Sequence, residues 1–312
     1  MTSAHGARPL ICIGIPTYKE GSFILDAVRS CLDQRGIDVL VLVSERTADR
    51  QALEVIRTEV EDVRVRVRQS AASGPGIDDA WRNILELMSW MLSEAPHASA
   101  YALLAGDDKW EEDTGLNLFQ HLRGCTNRIV VPTQVGFIDD TLGLQMIPLD
   151  FSSERRWVRR LQVFGTAQMP AIVVYGLHTP YSFASMKEVV HEFSSVQVPA
   201  PDLYIGAKTA LESPVYPAVE GILFRRYRPE IWSGFSSSRA VGGLSRHTAT
   251  AFLRSSMKQS VFEFYQGFHM VKSLPLRIRS ARVVLGVYWG CVRLTRRIFA
   301  ALSGESSNTR RP

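Results

Sequence analysis

Apolar and polar positions follow two rhythms along the first 122 residues. "PLICIGIP" is an unbroken apolar run ended by Pro16, the pattern of a buried strand. "SFILDAVRSCLDQ" then places apolar residues at helical spacing, with Ser22 as its expected N-cap. "DVLVLVS" reads as a second buried strand and "ADRQALEVIRTEV" as a second helix. "VRVRVRQ" alternates strictly, which predicts a strand with one wet face at a sheet edge. "SAASGPGI" is a Gly/Pro loop, "DDAWRNILELMSWML" an amphipathic helix, and "YALLA" a fourth strand that stops at two adjacent acids, Asp107 and Asp108. Strands alternating with helices predict a mostly parallel sheet with helices on both faces.

Beyond Leu122 the alternation fades. "RIVVPTQVGFID" and "LGLQMIPL" read as strands of a smaller mixed sheet, and "MPAIVVYG" as a further strand. "SERRWVRRLQVFG", "SMKEVVHEF" and "PAPDLYIGAKTALES" carry helical patterns, and "SGFSSSRAVGGLSR" is a Gly/Ser-rich loop. Near the C-terminus, a helix over Ile278–Leu302 gathers Arg279, Arg282, Arg293, Arg296 and Arg297 within one arc. Val283, Val284, Val287, Tyr288, Leu294, Ile298, Phe299 and Leu302 cover the opposite side. A basic amphipathic helix of this kind suits an anionic membrane surface; a helix packed on the body with its arginines in water is the plainer reading. The organisation expected is a main domain over residues 1–270, with halves at 9–122 and 123–270, and a basic helical tail over 271–312.

Charge sharpens that division. The chain carries +5, yet nine of its 36 Lys/Arg and only one of its 31 acids, Glu305, lie from Lys272 onward. The rest of the chain is near −3, which argues against nucleic acid as a partner of the main domain. The four cysteines are scattered without a C-x-x-C pair, as expected of reduced thiols. "MTSAHGARPL" lacks the apolar core of a secretory signal, and no run of about 18 apolar residues would span a bilayer. The localisation expected is cytoplasmic, peripherally associated with the inner face of the cell membrane.

Open parallel α/β sheets bind ligands at the carboxyl ends of their strands. Four polar groups fall at such ends: Thr17 and Tyr18 after the first strand, Ser44 and Glu45 after the second, the "GPG" loop with Arg82 and Asn83 after the third, and Asp107 with Asp108 after the fourth. Each also has a structural reading. Tyr18 would pack in a turn, Glu45 would be a solvated turn acid, and the aspartates would cap a helix. Arg66 and Arg68 of the edge strand either reach a phosphate or form a solvated face.

The stretches "IGIPTYKEGSFILDAVRSCLDQ", "VLVLVSERTAD", "GPGIDDAWRN" and "YALLAGDDKW" stand in the order and spacing of the inverting nucleotide-sugar glycosyltransferases of family 2, which this sequence resembles. The resemblance covers residues 9–122 and returns around "PAPDLYIGAKTAL". It implies the GT-A fold, a Rossmann-like, mostly parallel sheet with a smaller mixed sheet. It places Pro16, Thr17 and Tyr18 against the nucleotide base, Glu45 on the uracil or ribose, and Gly76, Arg82 and Asn83 at the diphosphate. It makes Gly106 and Asp107 part of the substrate site, and Asp107 with Asp108 ligands of Mg²⁺ or Mn²⁺. Asp202, at an expected helix start, would be the base that takes the acceptor's proton, with Glu188 and Glu192 as weaker substitutes. Arg239 or Arg246 of the Gly/Ser-rich loop would reach the diphosphate, and His247 would be a further candidate ligand.

Two departures stand out. Ser44-Glu45 occupies the place where Asp-Asp is commoner, and Ala105 replaces the first acid of the D-x-D signature. No Q-x-x-R-W follows Asp202, so addition of a single sugar is expected. The reaction implied moves one sugar from a UDP-linked donor to a lipid-linked or cell-envelope glycan. A sugar-phosphate nucleotidyltransferase is one alternative, but it wants a basic Gly-rich loop after the first strand. A non-catalytic sugar-nucleotide-binding scaffold is the other, encouraged by Ala105 and Ser44.

Overall fold

The computed structural model describes residues 8–72, 77–137, 145–146, 151–155, 170–193 and 201–225. The expected alternation is present in its first half: β1 (Leu10–Thr17), α1 (Phe23–Leu32), β2 (Asp38–Glu45), α2 (Gln51–Glu59), β3 (Val65–Gln69), α3 (Ile77–Glu94) and β4 (Ala100–Leu103). β1 is central, parallel to β2 on one side and to β4 on the other, and β3 forms the edge. Ile11, Cys12, Ile13 and Ile15 are wholly buried, so helices must cover both faces of β1. Each such isoleucine contributes about 1.5–3 kcal/mol of hydrophobic stabilisation.

The helices follow from their spacing. α1 buries Ile24, Ala27, Val28 and Cys31, a single face at i, i+3, i+4 and i+7. α3 lays Leu87, Met88 and Met91 on the sheet, and it comes so close to β1 that a Cβ on Gly14 would sit 2.3 Å from Met91 Sδ. Cys12 and Cys31 are free thiols inside this core, and burial pushes both pKa values up to about 12, which makes them inert packing groups. Ser22 is the residue before α1, but its side chain makes no capping hydrogen bond.

The second half departs from the expected separate sheet. β5 (Lys109–Trp110), β6 (Ile129–Phe137), β7 (Gln145–Met146), β8 (Leu177–His178) and β9 (Val215–Arg225) continue the same sheet. Its strand path is β3-β2-β1-β4-β8-β6-β9-β5, with β7 paired to β6. β8 is antiparallel to both β4 and β6, while β6 and β9 are parallel with a register shift between Pro132 and Gln134. β5 ends the path yet lies against α1, where the Trp110 N–H donates to Ser30 Oγ at 3.2 Å. The sheet therefore curls back toward its first half. α4 (Thr114–Leu122), α5 (Pro180–Phe193) and α6 (Pro201–Glu212) complete the described helices. Phe183 of α5 stacks on Tyr101 of β4 at 4.8 Å between ring centroids.

"MPAIVVYG" is not a strand. Pro170–Tyr175 forms a 3-10 helix, and only Leu177–His178 after it joins the sheet. Val173 and Val174 are buried in this helix, and an apolar run suits a buried strand equally, so the pattern alone does not distinguish the two. β9 is an eleven-residue strand that the sequence pattern did not announce, because Pro217, Glu220 and Gly221 interrupt its alternation. The helix expected at "SERRWVRRLQVFG" and the C-terminal tail lie outside the described residues. Among the described residues no helix is long and apolar enough to cross a membrane.

His178 sits at the middle of this sheet, fully buried between Tyr101 and Ile129. Its Nε2–H donates to the Val173 carbonyl at 2.9 Å, which fixes the neutral tautomer, and burial lowers its pKa to about 4. A histidine depressed from its ordinary 6.5 stabilises the fold fully above pH 6.5, and that stability is lost as pH falls toward 4. Urea titrations should show wild-type protein losing up to about 3 kcal/mol more than His178→Gln across that interval. Parallel pH profiles for the two proteins would refute a buried neutral His178.

Candidate functional site

The carboxyl ends of β1, β2 and β4 lie side by side because their registers are parallel and aligned: Thr17 pairs with Glu45, and Gly14 with Leu103. The turn after β1 is wound tightly. Lys19 has φ +61° and Gly21 φ +58°, so the chain reverses within a few residues. This folds Glu20 back onto the strand end, where its carboxylate accepts hydrogen bonds from the Thr17 hydroxyl and the Tyr18 N–H. Burial raises the Glu20 pKa, those two bonds oppose the rise, and the charge of Asp107 adds to it. Glu20 and Asp107 therefore form a neighbouring carboxylate pair from two different strand ends.

The end of β2 is organised inward. Ser44 Oγ donates to Asn83 Oδ1 at 2.6 Å, and Asn83 Nδ2 returns a bond to the Ser44 carbonyl at 3.0 Å. Both side chains are buried, and the pair ties β2 to α3. Glu45 is wholly buried rather than solvated. Its carboxylate accepts from Thr47 Oγ1 and from the backbone N–H groups of Ala52 and Leu53, at 3.4 and 3.1 Å. Those amides belong to the first turn of α2, whose partial positive charge suits an anion. Glu45 thus acts as the cap of α2.

Arg46, the next residue, takes the opposite direction. Its N–H donates to the Thr17 carbonyl at 3.2 Å, and its guanidinium lies 3.9 Å from the centroid of the Tyr18 ring. Burial lowers its pKa, while Tyr18, Asp79 and Glu20 act to raise it. Arg46 is only 9% exposed, an unusual degree of burial for a guanidinium, and stacking on Tyr18 together with the neighbouring acids offsets part of the desolvation.

The turn after β4 carries the paired acids. The Asp108 N–H donates to the Ala105 carbonyl at 3.1 Å, closing a compact turn over Gly106. A Cβ on Gly106 would meet Glu20 Cγ at 3.1 Å and Ile24 Cδ1 at 3.3 Å, so glycine lets the two turns touch. Asp107 is half-buried beside Glu20. Asp108 is buried, with Oδ2 3.4 Å from Arg225 Nε at the end of β9. The β5–β9 register sets up that ion pair by pairing Lys109 with Phe224. Asp113 precedes α4, yet its side chain makes no capping bond.

The structure therefore gathers Thr17, Tyr18, Gly106 and Asp107, and it adds Glu20, Arg46 and Asp79. Pro16 lies half-buried in β1 opposite Ser44. Glu45 and Asn83 are turned into the fold, and Arg82 is exposed on α3. Asp202 is the second residue of α6, the helix start expected for it. Glu188 is exposed, and Glu192 pairs with Lys208. Arg66 pairs with Glu94, and the Arg68 guanidinium lies 4.5 Å from the Trp90 ring, so both edge-strand arginines pack on α3. Gly76, Arg239, Arg246 and His247 lie outside the described residues. Among the described residues no group of three or more His, Cys, Asp or Glu side chains forms a metal cage. A site that uses one or two carboxylates plus substrate phosphates, the habit of Mg²⁺, needs no such cage and fits Asp107 beside Glu20.

Arg225→Met should lower the unfolding free energy by about 1–3 kcal/mol in denaturant titrations, because a buried carboxylate loses a charged partner. Arg225→Lys should recover part of that loss. Full stability in Arg225→Met would show that the pair does not anchor the turn.

No protein-family model and no curated protein sequence matches the chain. Among solved structures it is similar to S. aureus TarS 1-349 in complex with UDP-GlcNAc, at 14% identity and a TM-score of 0.47, over 70% of this chain and 58% of that one. It is similar to S. aureus TarS at 13% identity and a TM-score of 0.49, over 84% of this chain and 44% of that one. It is also similar to S. aureus TarS 1-349 in complex with UDP, at 12% identity and a TM-score of 0.48, over 88% and 78% of the two chains. The chain thus spans about half the length of the first two. Likenesses this distant leave the chemistry of the site to be argued from the residues present.

Proposed function

We propose that this protein is a glycosyltransferase that moves one sugar, with inversion, from a nucleoside diphosphate donor to a lipid-linked or cell-envelope glycan. The donor is UDP-linked. The observation that carries this reading is the joining of an aromatic ring, a buried guanidinium and a carboxylate pair at the carboxyl ends of β1, β2 and β4. Tyr18, covered on one face by Arg46, borders the base, and Thr17 lines the same turn. The Asp107 turn stands across Gly106 from them, where the diphosphate would lie.

Asp107 would hold Mg²⁺ or Mn²⁺, with Asp108 kept behind it by Arg225; when bound, the ion neutralises charge on the departing diphosphate. The chain's own residues do the rest. Asp202 at the start of α6 takes the proton from the acceptor hydroxyl as that oxygen attacks the anomeric carbon on the face opposite the diphosphate. Attack from that side inverts the configuration. The basic helix expected near the C-terminus brings the enzyme to the anionic membrane surface where a lipid-linked acceptor sits.

Release of UDP from a UDP-sugar, with and without Mn²⁺, tests the reading. Asp107→Asn should fold normally and lower kcat by about 100- to 1,000-fold. Asp202→Asn should lower transfer by about 100- to 10,000-fold while leaving donor binding intact. Wild-type transfer by Asp202→Asn would remove it from the base role. Donor binding without turnover, in the presence of acceptor glycans, would favour the non-catalytic scaffold.

A further inference from the structure

Recognition of a base by Glu45 would require its carboxylate to accept a hydrogen bond from the base or ribose. The structure directs that carboxylate elsewhere. It is wholly buried and accepts from Thr47, Ala52 and Leu53. Ser44 and Asn83 are likewise engaged with each other. The side chain from this strand end that reaches the Tyr18 ring is Arg46, 3.9 Å from the ring centroid.

Resting on the donor reading above, we infer that Arg46 is the specificity-determining residue of the nucleotide pocket, reading the carbonyl acceptors of the base while stacked on Tyr18. A guanidinium is planar and presents its N–H donors at its edge. Stacking on Tyr18 covers one face and leaves the edge geometry fixed. Its backbone N–H bond to Thr17 and the acids Glu20 and Asp79 hold it there at no cost in later ordering. Recognition thus passes from an acceptor, which would read the imide N–H of uracil, to a donor, which reads its carbonyl oxygens.

The test is isothermal titration of the full 312-residue chain with UDP and with inorganic pyrophosphate, each with Mn²⁺. Arg46→Ala should weaken UDP about ten- to a hundredfold and leave pyrophosphate unchanged. Arg46→Lys, which keeps the charge but not the planar fork, should fall between. Circular dichroism of both variants establishes that each is folded, and Arg46→Lys carries the test if Arg46→Ala is not. Unchanged or tighter UDP binding would overturn the inference, since Arg46 would then only cover the ring. Equal weakening of UDP and pyrophosphate would also overturn it, assigning Arg46 to the phosphates. If wild-type protein binds pyrophosphate but no UDP, the donor reading itself fails and this inference with it.

Discussion

The parallel register of β1 with β2 and β4 is the constraint on which everything else depends. Hydrogen bonding in register ends β1 and β2 at one level and leaves β4 to end opposite Gly14, so that its turn, from Leu104 to Asp108, runs on beside the end of β1; the close approach of Met91 to Gly14 penalises slippage of the register, because only glycine fits there. Polar side chains that would be ordinary turn residues in isolation are thereby placed within reach of one another. Glu20 meets Asp107, and Arg46 meets Tyr18, because the turns that carry them leave neighbouring parallel strands on the same side of the sheet.

Within that frame the polar groups divide into two sets. Ser44 and Asn83 are buried and bonded to each other, joining β2 to α3; Glu45 is buried on the first turn of α2; and Asp108 is buried in an ion pair with Arg225 of β9. Arg46 neighbours Tyr18, Glu20 and Asp79, and Glu20 in turn neighbours Asp107 where the two turns touch at Gly106. Buried polar groups demand partners. Ser44, Asn83 and Glu45 find them inside the protein and hold the strand ends in position.

The first half of the fold was legible because its periods are clean: continuous apolar runs for β1, β2 and β4, strict alternation for β3, and helical spacing for α1 to α3. The second half was less so for physical reasons. A buried apolar run such as "AIVVY" suits a 3-10 helix as well as a strand, and β9 contains a proline and a glycine that tertiary pairing tolerates. Among site residues, Thr17, Tyr18 and the paired acids were marked by their places at strand ends. The inward turn of Glu45 was not, because its partners are amides of a helix six or more residues away. Arg46 and Glu20 adjoin residues that were singled out, yet only the registers show that they point into the same space. The expected roles of Gly76 and Arg239 concern residues that the structure does not describe.

The tie between Asp108 and Arg225 joins positions more than a hundred residues apart in the chain. A lone neutral substitution at either leaves the other's charge poorly compensated in a mostly buried setting, whereas replacing both by apolar residues need not be costly. Sequence drift here is therefore expected to proceed by paired change, and the acid beside Asp107 is tied in its evolution to a strand at the far end of the sheet. What looks like a local motif of two aspartates is, in terms of heritable constraint, a three-residue unit with one member elsewhere.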